Sequence, residues 1–219
     1  MTLFSKAKSH KLGSDDDSIR RGLFACQSMN ELVQRVKLDG RPGPFQTIAD
    51  AWKLVGEGKK EEARSRLHSV LSLPVLETRV QLLVWSALRE LGEQPDLKSG
   101  GEILGVVIEV PMKGAYNTLA AYQDGTARYL NFSGHAIFWD APEATITGLC
   151  HAFINSTVTI SSRAKPRTSV LLPKSGMQIT LLTRSGIFLI PDPSELVVKA
   201  AAALMTELIR RVNELQTQP

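Results

Sequence analysis

Residues 119–132 read LAAYQDGTARYLNF, and this stretch decides the fold class because it joins two extended segments through a tight turn. Asp-Gly at 124–125 is the strongest short-range hairpin signal, since both residues tolerate the positive φ that such turns need. The β-branched run ILGVVIEV at 103–110 precedes this hairpin, and 137–139 offers a further short strand. The sequence therefore predicts an antiparallel meander.

The chain after the meander predicts two helices with strands between them. Asp140, Pro142 and Glu143 form a helix-start signal, with Asp140 as the expected cap and Glu143 in the first turn. Extended segments at 168–172, 178–183 and 187–190 are followed by a long helix that ends near residue 215. Residues 101–219 thus form a mainly antiparallel sheet packed with two helices. If both helices cover one face, the other face or an edge strand remains available to another chain.

The first half of the chain has helical periodicity instead. Apolar residues recur every three to four positions in three stripes between 45 and 91, separated by glycine or proline. A shorter stripe from Ile19 to Val36 predicts one further short helix. Residues 1–17 are polar and are predicted to be a mobile tail. The overall expectation is an α+β protein with a helical domain at 18–97 and an α/β domain at 101–219.

Two parts of the chain resemble known families. The helical hairpin at 45–74 resembles a tetratricopeptide repeat at Ala51, Leu54, Gly58, Ala63, Leu67, Val70 and Pro74. The alternative is a plain helical hairpin without repeat ancestry. The closing stretch PRTSVLLPKSGMQITLLTRSGIFLIPDPSELVVKAAAALMTELIRRVNEL resembles the end of a roadblock domain, and a profilin-like or longin-like α/β domain fits as an alternative. The roadblock resemblance implies a non-catalytic dimerising platform that binds Ras-like small GTPases or serves as an adaptor.

The charge of the chain is concentrated in one region. The 219 residues carry a net charge of only +4, which does not by itself indicate nucleic-acid binding. Between 141 and 191, however, five basic residues face a single acidic one, Glu143. The basic loop 163–174 is interpreted either as a solvated, mobile loop or as a binding surface for an acidic protein, with Arg163, Lys165, Arg167 and Lys174 as candidate residues. Weak nucleic-acid binding is the alternative, disfavoured because the loop has no aromatic residue to stack on bases.

Catalytic motifs are absent from the sequence. Neither a nucleophile elbow nor a phosphate-binding loop occurs. His135, Asp140 and His151 form the one grouping that could hold a metal, so a metal-dependent enzyme is an alternative function. Their spacing matches no ligand signature, and we expect no catalytic residue, no metal and no cofactor.

Compartment and function follow from these features. The N-terminus has no apolar segment of the kind that a secretory signal needs, and no apolar run is long enough to span a membrane. Two cysteines cannot form a disulfide framework and are interpreted as buried apolar side chains. We therefore expect a cytoplasmic, non-catalytic protein–protein interaction or adaptor protein whose partner is a small GTPase, a larger assembly or a second copy of the chain.

Overall fold

The computed structural model describes residues 8–11, 16–25, 28–39, 43–112, 115–140, 143–173, 176–190 and 192–217. Helices and an antiparallel sheet are both present, which confirms the α+β class. Pro142 and Lys174 lie outside the described residues. None of the helices in these ranges is long and apolar enough to cross a membrane.

Helices form the first half of the described chain. They are α1 (Asp16–Leu23), α2 (Met29–Asp39), α3 (Pro44–Gly56), α4 (Lys60–Leu71), α5 (Thr78–Glu90) and α6 (Leu97–Gly100). The three stripes predicted between 45 and 91 are confirmed as α3, α4 and α5. The hairpin of α3 and α4 turns at Gly58, which has a φ of 79°, and it buries Ile48, Ala51, Ala63 and Leu67.

The single short helix predicted between Ile19 and Val36 is wrong, because the structure has α1 and α2 there. Ala25, after α1, adopts a φ of 50°, which an α-helix cannot continue. A capping box then starts α2. The Ser28 hydroxyl accepts a hydrogen bond from the Glu31 N–H at 3.1 Å, and the Ser28 N–H donates to the Glu31 carboxylate at 3.3 Å.

Eight strands of the described chain form one sheet in the order β1-β5-β4-β3-β2-β7-β8-β6, with every neighbour antiparallel. They are β1 (Lys8–Lys11), β2 (Ile103–Met112), β3 (Ala115–Tyr122), β4 (Ala127–Leu130), β5 (His135–Trp139), β6 (Lys165–Pro166), β7 (Gln178–Thr183) and β8 (Gly186–Ile190). The predicted meander is confirmed as β2 to β5. Residues 8–11, which are predicted to lie in a mobile tail, pair with β5 instead. Residues 168–172, which are predicted to be extended, form no strand of the sheet.

The sheet is covered by helices on both faces. Two further helices, α7 (Ala144–Val158) and α8 (Glu195–Thr217), share one hydrophobic cluster with Val106, Ile108 and Leu119 of the sheet. Val107 and Tyr122 point to the opposite face and belong to the cluster of the helical unit, α1 to α5. The expectation of an uncovered sheet face is therefore corrected, because the N-terminal helices fill it. The two edge strands, β1 and β6, have four and two residues and offer little backbone for strand addition.

The Asp-Gly turn between β3 and β4 contacts both helical layers. Asp124 accepts a hydrogen bond from the N–H of Thr78 in α5 at 2.7 Å. Gly125 has a φ of 79°, and a Cβ placed on it would lie 2.9 Å from the Cβ of Thr147 in α7. The glycine is thus required twice, by its backbone conformation and by the close approach of α7.

Candidate functional site

The predicted basic surface is divided by the structure. Arg163 is exposed and lies 3.6 Å from the Asp192 carboxylate, and Lys165 is exposed in edge strand β6. Arg167 differs, because only 6% of its side chain is exposed. Lys174 lies outside the described residues. Arg167 is therefore a buried structural cation, and Arg163 and Lys165 are the described members of the quartet that a partner could reach.

Arg167 binds the carboxylate of Glu109 in β2. Its Nη1 and Nη2 both lie 3.4 Å from Glu109 Oε2, and Nη1 also donates to the Thr180 hydroxyl at 2.5 Å. Nε and Nη2 donate to the carbonyl groups of Ser169 and Leu171, each at 2.8 Å. These bonds hold the chain segment after β6 against the sheet face that the helical unit covers.

Arg20 of α1 pairs with the other oxygen of the same carboxylate. Its Nε donates to Glu109 Oε1 at 2.6 Å, and its Nη1 donates to the carbonyl of Val170 at 2.7 Å. The guanidinium carbons of Arg20 and Arg167 lie 5.3 and 5.2 Å from the centroid of the Phe24 ring, which is within cation–π range. We call Arg20, Phe24, Glu109 and Arg167 the arginine cluster.

Glu109 is the shared buried counter-ion of the arginine cluster. Two buried guanidinium groups bind its carboxylate, which has no exposed surface. Asp17 adds a carboxylate 3.3 Å from Arg20 Nη1, but its side chain is 61% exposed and also pairs with Arg21. An exposed ion pair offsets little of a buried charge because water screens it. The burial of Arg20 therefore depends mainly on Glu109.

A second charged cluster joins the helical unit to the sheet. Arg128 of β4, whose side chain is 1% exposed, pairs with Asp140 and lies 3.6 Å from the carboxylate of Glu77 before α5. Burial lowers the pKa of the Arg128 guanidinium. The prediction that Asp140 caps α7 is wrong, because Asp140 is instead the counter-ion of Arg128. The residue directly before α7 is Glu143, and its carboxylate pairs with Arg211 at 2.6 Å. The role of this second cluster is to orient α5 on the sheet.

The three residues considered as metal ligands have separate partners. His135 Nδ1 lies 3.0 Å from the Ser133 hydroxyl, and His151 Nε2 lies 2.8 Å from the carbonyl oxygen of Gln123. Asp140 pairs with Arg128. Within the described ranges, no three His, Cys, Asp or Glu side chains are grouped so that they could hold a metal ion.

Cys150 lies in the core between α7 and the sheet. It is a free, fully buried thiol, and its Sγ lies 3.7 Å from the carbonyl oxygens of Gly125 and Thr126. Burial raises the pKa of the Cys150 thiol to about 12. Since the thiolate is the reactive form, Cys150 packs as a small apolar residue and is unsuited to act as a nucleophile. Cys26 lies outside the described residues.

The outward surfaces of α7 and α8 meet at an exposed groove whose lining is small and uncharged except for Glu207, which pairs with Arg210 and Arg211. Helix α7 contains no Asp, Glu, Lys or Arg, and it exposes Thr145, Gly148 and Val158. Helix α8 adds Ala202 and Ala203 beside it, and a shallow groove of about 620 Å³ lies between the two helices. We call this surface the α7–α8 face. Small, uncharged side chains at this position favour close contact with another helix.

Comparison with protein-family models, with curated proteins and with solved structures gives no match. The function is therefore inferred from the α7–α8 face and the arginine cluster themselves.

The sequence analysis missed both the arginine cluster and the α7–α8 face. Glu109 is the single charged residue in the apolar strand ILGVVIEV, and a lone charge in a strand buried on both faces signals a buried ion pair. Its partners could not be identified from sequence, since Arg20 and Arg167 are 89 and 58 residues away. The signal for the α7–α8 face was the absence of charge over all of α7.

Proposed function

We propose that the protein is a non-catalytic protein-binding module whose binding surface is the α7–α8 face. The observation that carries the proposal is an exposed, two-helix groove whose lining is small and uncharged apart from Glu207, in a chain that is 22% charged overall. Exposed apolar and uncharged surface of this kind marks interaction sites in proteins that otherwise keep charge on the outside.

The chemistry of the face specifies the shape of the partner. Gly148, Ala202 and Ala203 have almost no side chain, so a partner helix can approach the backbone closely. Leu149 supplies apolar area within the groove, and Val158, which is 55% exposed, supplies it at the end of α7. The partner element is therefore an amphipathic helix with its apolar side toward the groove.

Two partner classes are proposed for this helix. The resemblance of the closing stretch to a roadblock domain supports a second copy of the chain or a Ras-like small GTPase, and it supports the role of an adaptor in a larger assembly. We place the module in the cytoplasm, and the free thiol of Cys150 supports a reducing compartment. Metal-dependent catalysis and nucleic-acid binding gain no support from the described residues.

Gly148 provides the test, because a Cβ added there meets no atom within 4 Å. Gly148→Arg places a long charged side chain over the groove, and Gly148→Ala is the matched control that adds no charge. Alanine at an exposed helix interior stabilises by about 0.5–1 kcal/mol relative to glycine, so the control should fold at least as well as the parent.

Sedimentation velocity over a range of protein concentrations measures self-association. We expect a dimer in the parent and in Gly148→Ala, and a monomer in Gly148→Arg with an unchanged melting temperature. If all three are monomers, affinity capture from native lysate is compared between the two variants, and a protein retained by Gly148→Ala and lost with Gly148→Arg supports a heterologous partner. Equal retention by both variants, together with a monomeric parent, contradicts the proposal.

A further inference from the structure

A pocket of about 180 Å³ lies between α8 and the sheet. On α8 its wall includes Val198, Ala201 and Met205, which recur at helical spacing and therefore share one side of the helix. The α7–α8 face uses a different side of α8, that of Ala203, and meets the pocket only at Ala202. The pocket is thus a site separate from the α7–α8 face.

The pocket has a buried floor and an accessible rim. Ile108 and Leu119, which are paired across β2 and β3, are 4% and 3% exposed and form the floor. Val110 of β2 and Val198 of α8 are half-buried, and Ala202 is exposed at the rim. A molecule that enters from solvent at the rim is therefore removed from water at the floor.

The side chains of the wall leave little for a polar ligand to bind. Among the described residues that line the pocket, none is charged, and only Asn117 and Tyr129 carry a side-chain nitrogen or oxygen. Both have partners, since Asn117 Oδ1 accepts a hydrogen bond from the Phe132 N–H at 2.9 Å and the Tyr129 hydroxyl accepts one from the Asn131 amide at 3.2 Å. A buried water needs about two to four polar partners, and a buried ion needs a counter-ion. The wall therefore favours an uncharged, apolar occupant over both.

Size and sulfur specify this occupant further. An apolar cavity of about 150 Å³ stays dry and takes up benzene, so a pocket of about 180 Å³ has room for an aromatic ring. Met177, directly before β7, and Met205 both line the pocket, and thioether sulfur makes favourable contacts with aromatic rings. Tyr129 contributes an aromatic ring of its own to the wall. We propose that this pocket binds a small, uncharged aromatic molecule with a single ring.

Isothermal titration calorimetry with toluene tests the proposal, benzoate being the charged control and methylcyclohexane the control without an aromatic ring. We expect saturable binding of toluene, and binding of benzoate at least about tenfold weaker, because its carboxylate would lose water without gaining a partner. Methylcyclohexane should also bind more weakly than toluene, because it offers no ring face or edge to sulfur. The proposal is overturned by toluene that does not saturate up to its solubility limit, or by either control binding as tightly as toluene.

Two phenylalanine substitutions on α8 locate the bound ring. Val198→Phe fills the pocket with a ring of the protein itself, while Leu196→Phe is the matched control, because Leu196 is 59% exposed on the same helix and does not line the pocket. We expect Val198→Phe to weaken toluene binding by about tenfold or more through steric exclusion, and Leu196→Phe to change it by less than about twofold. Both should keep the melting temperature of the parent. If Val198→Phe lowers it, Val110→Phe narrows the same pocket from β2 and takes its place in the comparison.

The α7–α8 face supplies a last control. Gly148→Arg alters that face and does not line the pocket, so it should bind toluene as the parent does. Toluene binding that is lost with Gly148→Arg, or that is weakened equally by Leu196→Phe and the pocket-filling variant, places the bound ring elsewhere and overturns the proposal.

Discussion

The two faces of the sheet are packed by different physical means. The face under α7 and α8 is covered by apolar side chains such as Ile146, Phe153 and Leu204. The face under the helical unit buries charge as well, with Glu109 and Arg128 almost wholly inaccessible. The layer under α7 and α8, which we call the dry layer, is therefore apolar. In the layer under the helical unit, which we call the charged layer, ion pairs connect helices to strands.

The two layers therefore contribute differently: the dry layer stabilises the domain, and the charged layer fixes the orientation of the helices on the sheet. Apolar contacts are not directional, so the dry layer stabilises the domain without fixing how the helices lie. Ion pairs with two or three defined hydrogen bonds are directional, and those of Arg20 and Arg128 are satisfied only when α1 and α5 are correctly placed. Buried donors without a hydrogen-bond partner occur on both sides of the sheet, for example Arg20 Nη2 in the charged layer and Trp139 Nε1 in the dry layer.

Glu109→Ala should have the largest effect. It removes the buried carboxylate that Arg20 and Arg167 share, and breaking a buried ion pair in this way costs about 3–5 kcal/mol of unfolding free energy. Urea denaturation followed by circular dichroism measures the loss. A loss below about 1 kcal/mol would mean that water reaches the arginine cluster and screens its charges, so that the ion pairs contribute little to the unfolding free energy.

A triple variant sharpens this result. Arg20→Met and Arg167→Met together with Glu109→Leu replace the ion pairs by apolar side chains of similar length, and such exchanges are often neutral or stabilising. We expect most of the stability lost in Glu109→Ala to return. A triple variant as unstable as Glu109→Ala would show that the hydrogen bonds to the Val170 and Leu171 carbonyls matter more than the charges.

Leu204→Ala tests the dry layer. Leu204 of α8 is fully buried, and its truncation should cost about 2–5 kcal/mol through lost burial and a residual cavity. Hydrogen exchange distinguishes the layers: Leu204→Ala should reduce protection first in α7 and α8, and Glu109→Ala first in α1. Uniform loss of protection in both variants would indicate that the two layers unfold as one cooperative unit.

Gly125→Ala acts where the two layers meet. Its φ of 79° is unfavourable for alanine, and the new methyl group would collide with Thr147. We expect a loss of about 1–3 kcal/mol by thermal denaturation. Gly92→Ala is the matched control, because Gly92 has a φ of 86° but open space around it; it should lose less than Gly125→Ala. Equal losses would mean that α7 yields to the methyl group without cost.

Local sequence signals predicted much of this fold. Period-two alternation and the Asp124-Gly125 turn depend on residues close in sequence, and β2 to β5 follow from them. Strand β1 could not be predicted in this way, because its sequence KSHK has no apolar alternation. It pairs with β5, which would otherwise be an edge strand with unpaired backbone groups. Its placement is a consequence of the finished sheet.

The candidate sites were less predictable for the same reason. Sequence analysis identified the charge of the loop 163–174 but placed Arg167 at the surface, since loops are usually solvated. Its burial depends on Glu109 and Phe24, which come from different elements of the fold. Likewise, the α7–α8 face is formed only when α7 and α8 lie side by side, although the end of α7 at Val158 and the start of α8 at Glu195 are 37 residues apart in sequence.

Glu207 of α8, whose side chain is 16% exposed, should give the smallest effect and is the less buried counterpart of Glu109. Hydrogen bonds from Arg210 and Arg211 lower the pKa of the Glu207 carboxyl from 4.5 to about 2. A carboxyl whose pKa is lower in the folded state stabilises the fold above its unfolded pKa and loses that contribution as pH falls through the folded pKa. In urea denaturation the parent should therefore exceed Glu207→Gln by a constant, small amount above about pH 5, and the two should converge toward about pH 2, since solvent screens the pair. Added salt should shrink this difference at pH 7, whereas the loss in Glu109→Ala should persist. A difference that stays constant from pH 7 to pH 2 would show that Glu207 acts through packing and not through its charge. Charge on the α7–α8 side of the sheet would then contribute nothing to stability.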